Sequence, residues 1–528
     1  MALSSAVLSL LRDHLIASSL AAGLAVILLA HVAVALAGRE SKEPPALPQK
    51  VPFVGHLVSM LRYSHRYADM NFEDHALPAH TLSVLGGKLY IVNSPKLAEA
   101  VLRNRSLSFE PFVRDFMKGA TNIDSRNMKI FESEEFSSQW IKILYASMTG
   151  SELLKLNVQA IRHFGKYMAK LPTDRGFEVE NFYIWVRNTI SNASTTSLYG
   201  SHNPLSDPRL VEAYWDFEAD LHILMTQVFT SMTAPKAHQA RLQLTKAFDE
   251  YYRREYDASN DVPRFTKDRM TMERKYGMSA AASGAIELAV IHGALFNTAL
   301  TTYWLVTFIF NQPELVSQLR EEVSSIVIDE SDREKILQVN RIEKNCPLFM
   351  SCFRETQRCV FLGTLNRRVM ADTDISDGRL TYTLRKGQNL QVPVGVLHKS
   401  RSIWGDDADE FVPDRFLDDE EIQTLPSGFL PFGGGKHICP GRNFASGEIL
   451  GCAALLLLSY DMTAVDGGPV KVPETAEAWP TAAINKPAPD EDVGVLMKRR
   501  KGWEKVDWTV VDEMKEFRKP RTRAWSAL

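Results

Sequence analysis

Cysteine is scarce in this chain. Its 528 residues hold five, Cys346, Cys352, Cys359, Cys439 and Cys452, all beyond residue 345. An odd number, so confined, excludes a disulfide framework as the organising device and fits a reducing compartment. No CxxC pair occurs, which argues against a zinc ribbon. Charge imbalance is lacking too: 61 Lys and Arg against 64 Asp and Glu leave a net of -3. Such a balance gives no reason to expect nucleic acid as a partner. There is no internal repeat and no low-complexity tract. With 45% hydrophobic and 24% charged residues, the composition is that of a folded globule with a large core.

Two stretches lack formal charge altogether. Ile16 to Gly38 runs 23 residues without Asp, Glu, Lys or Arg. As a helix rising about 1.5 Å per residue it would cross a bilayer core. A cleaved signal peptide is the alternative, but its apolar region is typically roughly 7–15 residues. Arg12 precedes the run and Arg39, Lys42 and Lys50 follow it, so the positive-inside rule leaves the bulk of the chain cytosolic. Residues 1–38 are therefore expected to be a single-pass membrane anchor. Residues 39–52 follow as a proline-rich hinge, stiffened by Pro44, Pro45, Pro48 and Pro52. Residues 53–528 are expected to be the folded globule. The second stretch, Leu288 to Pro313, contains His292, Asn297, Thr298, Thr301 and Thr302. Those polar groups favour a buried core helix, roughly 40 Å long, over a second membrane span.

Elsewhere the patterning is mixed. His80 to Val92 alternates around Gly86-Gly87 like a hairpin. Ser94 and Pro95 predict a capped helix start. About 135 to 345 is mostly helical by periodicity, and β character returns over Leu380 to Val394. The expected class is mainly α with a smaller β region. The tail from Lys498 carries ten basic and five acidic residues and reads as a solvated end.

The chemistry-bearing string lies near the C-terminus, where Phe432 to Ala445 reads FGGGKHICPGRNFA. Cys439 is the one side chain in it able to act as a soft, strong metal ligand. Gly433, Gly434 and Gly435 permit backbone shapes closed to other residues, and Gly441 permits the approach of something flat. The following NFASGEILGCAALLLLS reads as an apolar helix whose first amides and dipole would favour a thiolate. A glycine-rich turn that happens to hold a cysteine is the plain alternative. The whole string, however, resembles the haem-ligand motif of the cytochrome P-450 family, F-x-x-G-x-[HR]-x-C-x-G, at Phe432, Gly435, His437, Cys439 and Gly441.

Two further strings carry the same resemblance. FRETQRC sets Glu355 and Arg358 three apart on one helix face, a spacing common on solvated helices when it stands alone. FVPDRF adds Pro413 and Arg415, and in the family that arginine joins the helix pair in a buried ion triad. The resemblance covers nearly the whole chain and implies the cytochrome P-450 fold. It implies heme b with Cys439 as axial thiolate, Phe432 packed by the sulfur, and His437 and Arg368 at the haem propionates, although Arg367 is adjacent. Thiolate ligation favours O–O cleavage. Trp140 stands where the family places a propionate-binding tryptophan. Its usual basic companion four residues later is Leu144 here, with Lys142 nearby, and a core tryptophan is the alternative.

The long helix departs from the family pattern [AG]-G-x-[DE]-T-T. Gly293 to Thr298 reads GALFNT, with Phe296 at the acid's place and Asn297 at the alcohol's. A slip of one residue would make Thr298 the alcohol, so Asn297 and Thr298 are both candidates for proton relay. NTALTTYW otherwise resembles the branch of cholesterol 7-alpha-hydroxylase and prostacyclin synthase, and several fungal biosynthetic members. That branch holds both hydroxylases and isomerases. The expected activity is a membrane-anchored haem-thiolate monooxygenase inserting one atom of O2 into a lipophilic substrate, in secondary-metabolite, terpenoid or steroid biosynthesis. No stretch resembles a flavin or nicotinamide site, so NADPH-cytochrome P-450 reductase would be a separate partner, docking near Lys436 and Arg442. The implied location is the endoplasmic reticulum membrane with the catalytic domain cytosolic. A haem-thiolate isomerase or dehydratase is the alternative, and a non-catalytic haem sensor the third. Cavity walls are expected after Asn104, near Phe296, over Gly363 to Asn366 and in a late loop near Trp479. Asn192-Ala193-Ser194 fits a glycosylation acceptor that a cytosolic globule would not present to the transferase.

Overall fold

The structure is a computed structural model. It describes residues 42–48, 54–64, 66–173, 175–417, 427–476, 483–489 and 494–511. The expected anchor and the loop at Trp479 lie outside them. The chain divides into two compact units, Met1–Phe109 with Thr364–Val396, and Glu110–Gly363 with Leu397–Leu528.

The first unit is built on a five-stranded sheet in the order Ala79–Val84, Gly87–Val92, Asn389–Pro393, Thr364–Val369, Leu107–Ser108. Its first two strands are the expected hairpin, pairing antiparallel from Ala79↔Val92 to Val84↔Gly87. The turn places Leu85 (φ 50) and Gly86 (φ 77) both in the left-handed region. Two such residues are what a tight two-residue hairpin turn demands. The expected β character over Leu380 to Val394 resolves into two strands with Gly387 (φ 83) turning between them. Thr381–Leu384 pairs only locally, with Thr373–Ser376, whereas Asn389–Pro393 enters the large sheet. The helix Pro95–Arg103 starts where expected, but the Ser94 side chain makes no capping hydrogen bond. Its extended backbone suffices, with the Ser94 carbonyl accepting from the Ala98 amide at 2.8 Å.

The second unit is mostly helical and holds the long helix, Ala280–Asn311. This helix begins well before the charge-free stretch that predicted it. Glu287 lies inside it, fully buried, because Arg269 binds its carboxylate at 2.6 Å and the Tyr199 hydroxyl donates to it. A paired charge is tolerated in a core where a lone one is not. Ser279 caps the start, accepting from the Ala282 amide, and Pro313 ends the helix by forcing Gln312 extended. Length and apolarity would let it cross a membrane, but most of its side chains are buried in protein. It packs against the helices Phe182–Tyr199, Pro235–Arg253, Pro347–Val360 and Arg442–Ser459. The basic tail differs from expectation. Val495–Arg499 and Asp507–Val511 are strands of two small sheets, and Arg499 is buried. Alternation of inward and outward side chains along Val495–Arg499 overrides the charge density.

Candidate active site

Cys439 sits in a loop closed by its own backbone, since its amide donates to the Phe432 carbonyl at 3.0 Å. Gly433 (φ 71) and Gly435 (φ 64) take left-handed conformations there, which accounts for two of the three glycines. Gly434 does not need the freedom expected of it, because its backbone is extended (φ -174) and open to any residue. His437 closes the 3-10 turn Gly435–His437, and the helix Arg442–Ser459 starts just beyond the loop. Burial raises the Cys439 thiol, while the Gly441 and Arg442 amides and the Arg442 charge pull it down. Those are the groups that would hold a thiolate once a metal ion compensates the burial. Gly441 has ordinary helical-edge backbone, so its value lies in bareness: an added Cβ would stand 4.0 Å from the Cys439 sulfur.

A haem needs an electron-pair donor for its iron and hydrogen-bond donors for its propionates. Trp140, on the helix Glu134–Ser147, keeps its indole Nε1 buried without a hydrogen-bond partner among the described residues. Such a group costs stability unless an acceptor completes it. A carboxylate does so, and the site's residues therefore fit the group. Leu144, one turn on, packs into the core and Lys142 is exposed. Arg368 belongs to the first unit, half-buried on the strand Thr364–Val369 opposite Asn389, while neighbouring Arg367 is buried.

Behind the cysteine loop the structure brings Glu355, Arg358 and Arg415 together. Glu355 and Arg358 are fully buried and joined twice, Nε to Oε2 at 2.7 Å and Nη2 to Oε1 at 2.8 Å. Arg415 Nε donates to the same Oε1 at 3.0 Å, as does the Val412 amide. Arg358 also donates to the carbonyls of His398, Ala408 and Glu410. The sequence reading missed two members. Asp407 accepts from Arg415 at 3.0 Å, and His398 Nε2 accepts from the Leu430 amide, tying this network to the segment that leads into the cysteine loop. Burial and the Arg358 charge lower the His398 pKa to about 3, so the ring is neutral and free to accept. Neither residue lies in a motif, which is why spacing could not find them.

The family model for cytochrome P450 matches residues 45–489. This chain belongs to the cytochrome P450 family. A cytochrome P450 monooxygenase of Gibberella zeae is 33% identical over 481 residues, covering 89% of this chain and 92% of the relative. The monooxygenase nodJ of Hypoxylon pulicicidum is 26% identical over 488 residues, covering 89% and 93%. The 25-hydroxycholesterol 7-alpha-hydroxylase of Rattus norvegicus is 27% identical over 217 residues, 39% of this chain and 52% of its own. The protein is thus a P450 enzyme of the monooxygenase class, and the family's cofactor is haem with cysteine-thiolate ligation of the iron.

In this P450 the long helix carries an open stripe at Gly293 and Asn297, one turn apart on one face, with Ala289 half-buried a turn before them. Asn297 is exposed and the space beside Gly293 is empty to 4 Å. Thr298 is 2% exposed and Phe296 4%, so neighbouring positions face the packed interior. Thr301 and Thr302 donate back to the carbonyls of Asn297 and Thr298 at 2.7 and 2.8 Å. Their hydroxyls are thereby occupied within the helix.

Proposed function

We propose that this P450 is a membrane-anchored monooxygenase that inserts one oxygen atom into a lipophilic secondary metabolite of terpenoid or steroid type, with Cys439 as the iron ligand. The observation that carries this reading is the cysteine loop, where helix-start amides converge on a sulfur at the family's motif position. The fungal relatives named as monooxygenases span nearly the whole chain, which supports monooxygenase activity. The rat relative, named for 25-hydroxycholesterol, supports a rigid lipophilic substrate. When bound, the haem activates O2 with electrons from a separate NADPH-dependent reductase, and thiolate ligation promotes O–O cleavage. Lys436 is exposed and suits a reductase-facing position, whereas Arg442 is tied to the Cys439 carbonyl at 3.0 Å. Trp140 and His437 would hold the propionates.

Asn297 is the better placed of the two relay candidates because it stands on the open stripe. Its amide donates and accepts but does not ionise, so it orients a water and leaves proton supply to solvent. Asn297→Ala is expected to raise peroxide release relative to product by on the order of tenfold, with substrate binding little changed. Asn297→Thr should keep more coupling than Ala.

Phe296 in the acid's place favours a second reading, a haem-thiolate isomerase or dehydratase. Labelled O2 separates the two. One labelled atom in the product, dependent on NADPH and reductase, supports the monooxygenase. An unlabelled product made at full rate without O2 or reductase overturns it.

The anchor and the endoplasmic reticulum location rest on Ile16 to Gly38 and its flanking charges. Removing residues 1–38 should move the protein from the membrane fraction to the soluble one with haem still bound. Retention of the truncated chain after a high-salt wash would show that another apolar surface holds it.

A further inference from the structure

We propose that His292 is the polar anchor of the substrate cavity, clamped between Phe116 and Phe296 and oriented by Tyr214 so that its Nε2–H donates to an acceptor oxygen on an otherwise lipophilic substrate. This rests on the reading above only in taking the open stripe of the long helix as the substrate side.

His292 lies next to Gly293 and one turn before Phe296 on the long helix. Its ring stacks on Phe296 at 5.6 Å and 25°, and on Phe116 at 5.7 Å and 23°. Both aromatic contacts engage the faces of the imidazole, and its ring nitrogens lie on the edges. On one edge, Nδ1 lies 3.5 Å from the Tyr214 hydroxyl, at the long end of hydrogen-bond range. That hydroxyl has no other partner among the described residues, and burial keeps it protonated by raising its pKa. We assign the phenol as the donor and Nδ1 as the acceptor, which puts the ring proton on Nε2. No described residue accepts from Nε2.

The ring lies deep, where burial and the Lys486 charge lower its pKa to about 4, yet part of its surface stays open. Beside the next residue, Gly293, the space is empty to 4 Å. A neutral imidazole there offers one directed N–H in an aromatic wall, the kind of convergent polar group that fixes a small ligand's orientation. Lys486 adds no free charge to the wall. Its ammonium sits 5.8 Å from the Phe296 ring centre and is paired with Glu218. With that charge matched inside the protein, a neutral carbonyl or hydroxyl oxygen suits the site better than a carboxylate.

The test uses the haem-loaded enzyme and two matched azoles, para-imidazolyl acetophenone and para-ethylphenyl imidazole. The imidazole binds haem iron whatever the natural substrate, and the two probes differ in one carbonyl oxygen. Spectral titration of the wild type should favour the ketone by roughly three- to tenfold. His292→Phe should erase that preference by weakening the ketone alone, and His292→Gln, which keeps a donor, should restore part of it. Tyr214→Phe should reduce it, since the tautomer is no longer set. An intact reduced-CO band in each variant verifies folding. Equal affinities in the wild type, a preference that survives His292→Phe, or equal loss of both probes would each overturn the proposal. Azole binding needs neither O2 nor reductase, so failure of the monooxygenase reading in the labelled-oxygen experiment leaves this result readable by itself.

Discussion

Cys439→Ala is expected to abolish the reduced-CO band of thiolate ligation and all turnover, the largest functional effect of any single substitution in this P450. Cys439 is the cysteine held on a helix-start loop, with the Gly441 and Arg442 amides and the Arg442 charge directed at its sulfur. The other four are packing residues. Cys346 and Cys352 are buried, and Cys452 lies mid-helix in the apolar core. Burial drives the thiols of Cys346 and Cys359 up to about 12, and raises those of Cys352 and Cys452 as well. Without a metal to compensate, such thiols stay protonated and inert. Their alanine variants should keep the band and lose only packing. The assignment fails if one of them is required for the band and Cys439 is not.

Arg358→Ala should be the most destabilising substitution, by about 3–5 kcal/mol, and should impair haem retention. The side chain is fully buried and donates to Glu355 twice and to the carbonyls of His398, Ala408 and Glu410. Removing it leaves three carbonyls short of a donor and Glu355 dependent on Arg415 and one amide. It also releases the stretch that carries His398, whose ring holds the Leu430 amide ahead of the cysteine loop. The control is Arg253→Ala, which breaks a pair to Asp249 whose arginine side chain is 67% exposed. An exposed helix pair of that kind contributes about 0.3–0.5 kcal/mol. Denaturant unfolding of both variants decides the matter. Equal losses would mean that the buried network is not what holds the loop's support in place.

Much of the architecture was legible from local chemistry. The hairpin, the long helix and the helix after Cys439 follow from alternation, apolar periodicity and punctuation by Gly and Pro, all set by neighbours in the chain. The three motif strings were equally legible as strings. Where local rules were applied beyond their reach they misled. Absence of charge placed the helix start near Leu288, but Glu287 continues the helix because Arg269, on a different helix, neutralises it. Positive charge read the tail as solvated, yet Lys498, Arg499 and Asp507–Val511 within it are strand.

By itself the sequence determined which residue types could do the chemistry: one cysteine with ligand context, an acid and arginine on one helix face, and an amide beside an alcohol, Asn297 and Thr298, as candidates for proton relay. These depend on side-chain identity and spacing along the chain. Only the tertiary structure decided which of them meet. It chose Asn297 over Thr298 for the open stripe, because helices packed on the other faces bury Thr298. It recruited Asp407 and His398 to the arginine network, and set Tyr214 and Phe116 around His292. Those partners come from distant segments, and their meeting is fixed by how whole helices pack, a property that no local spacing encodes.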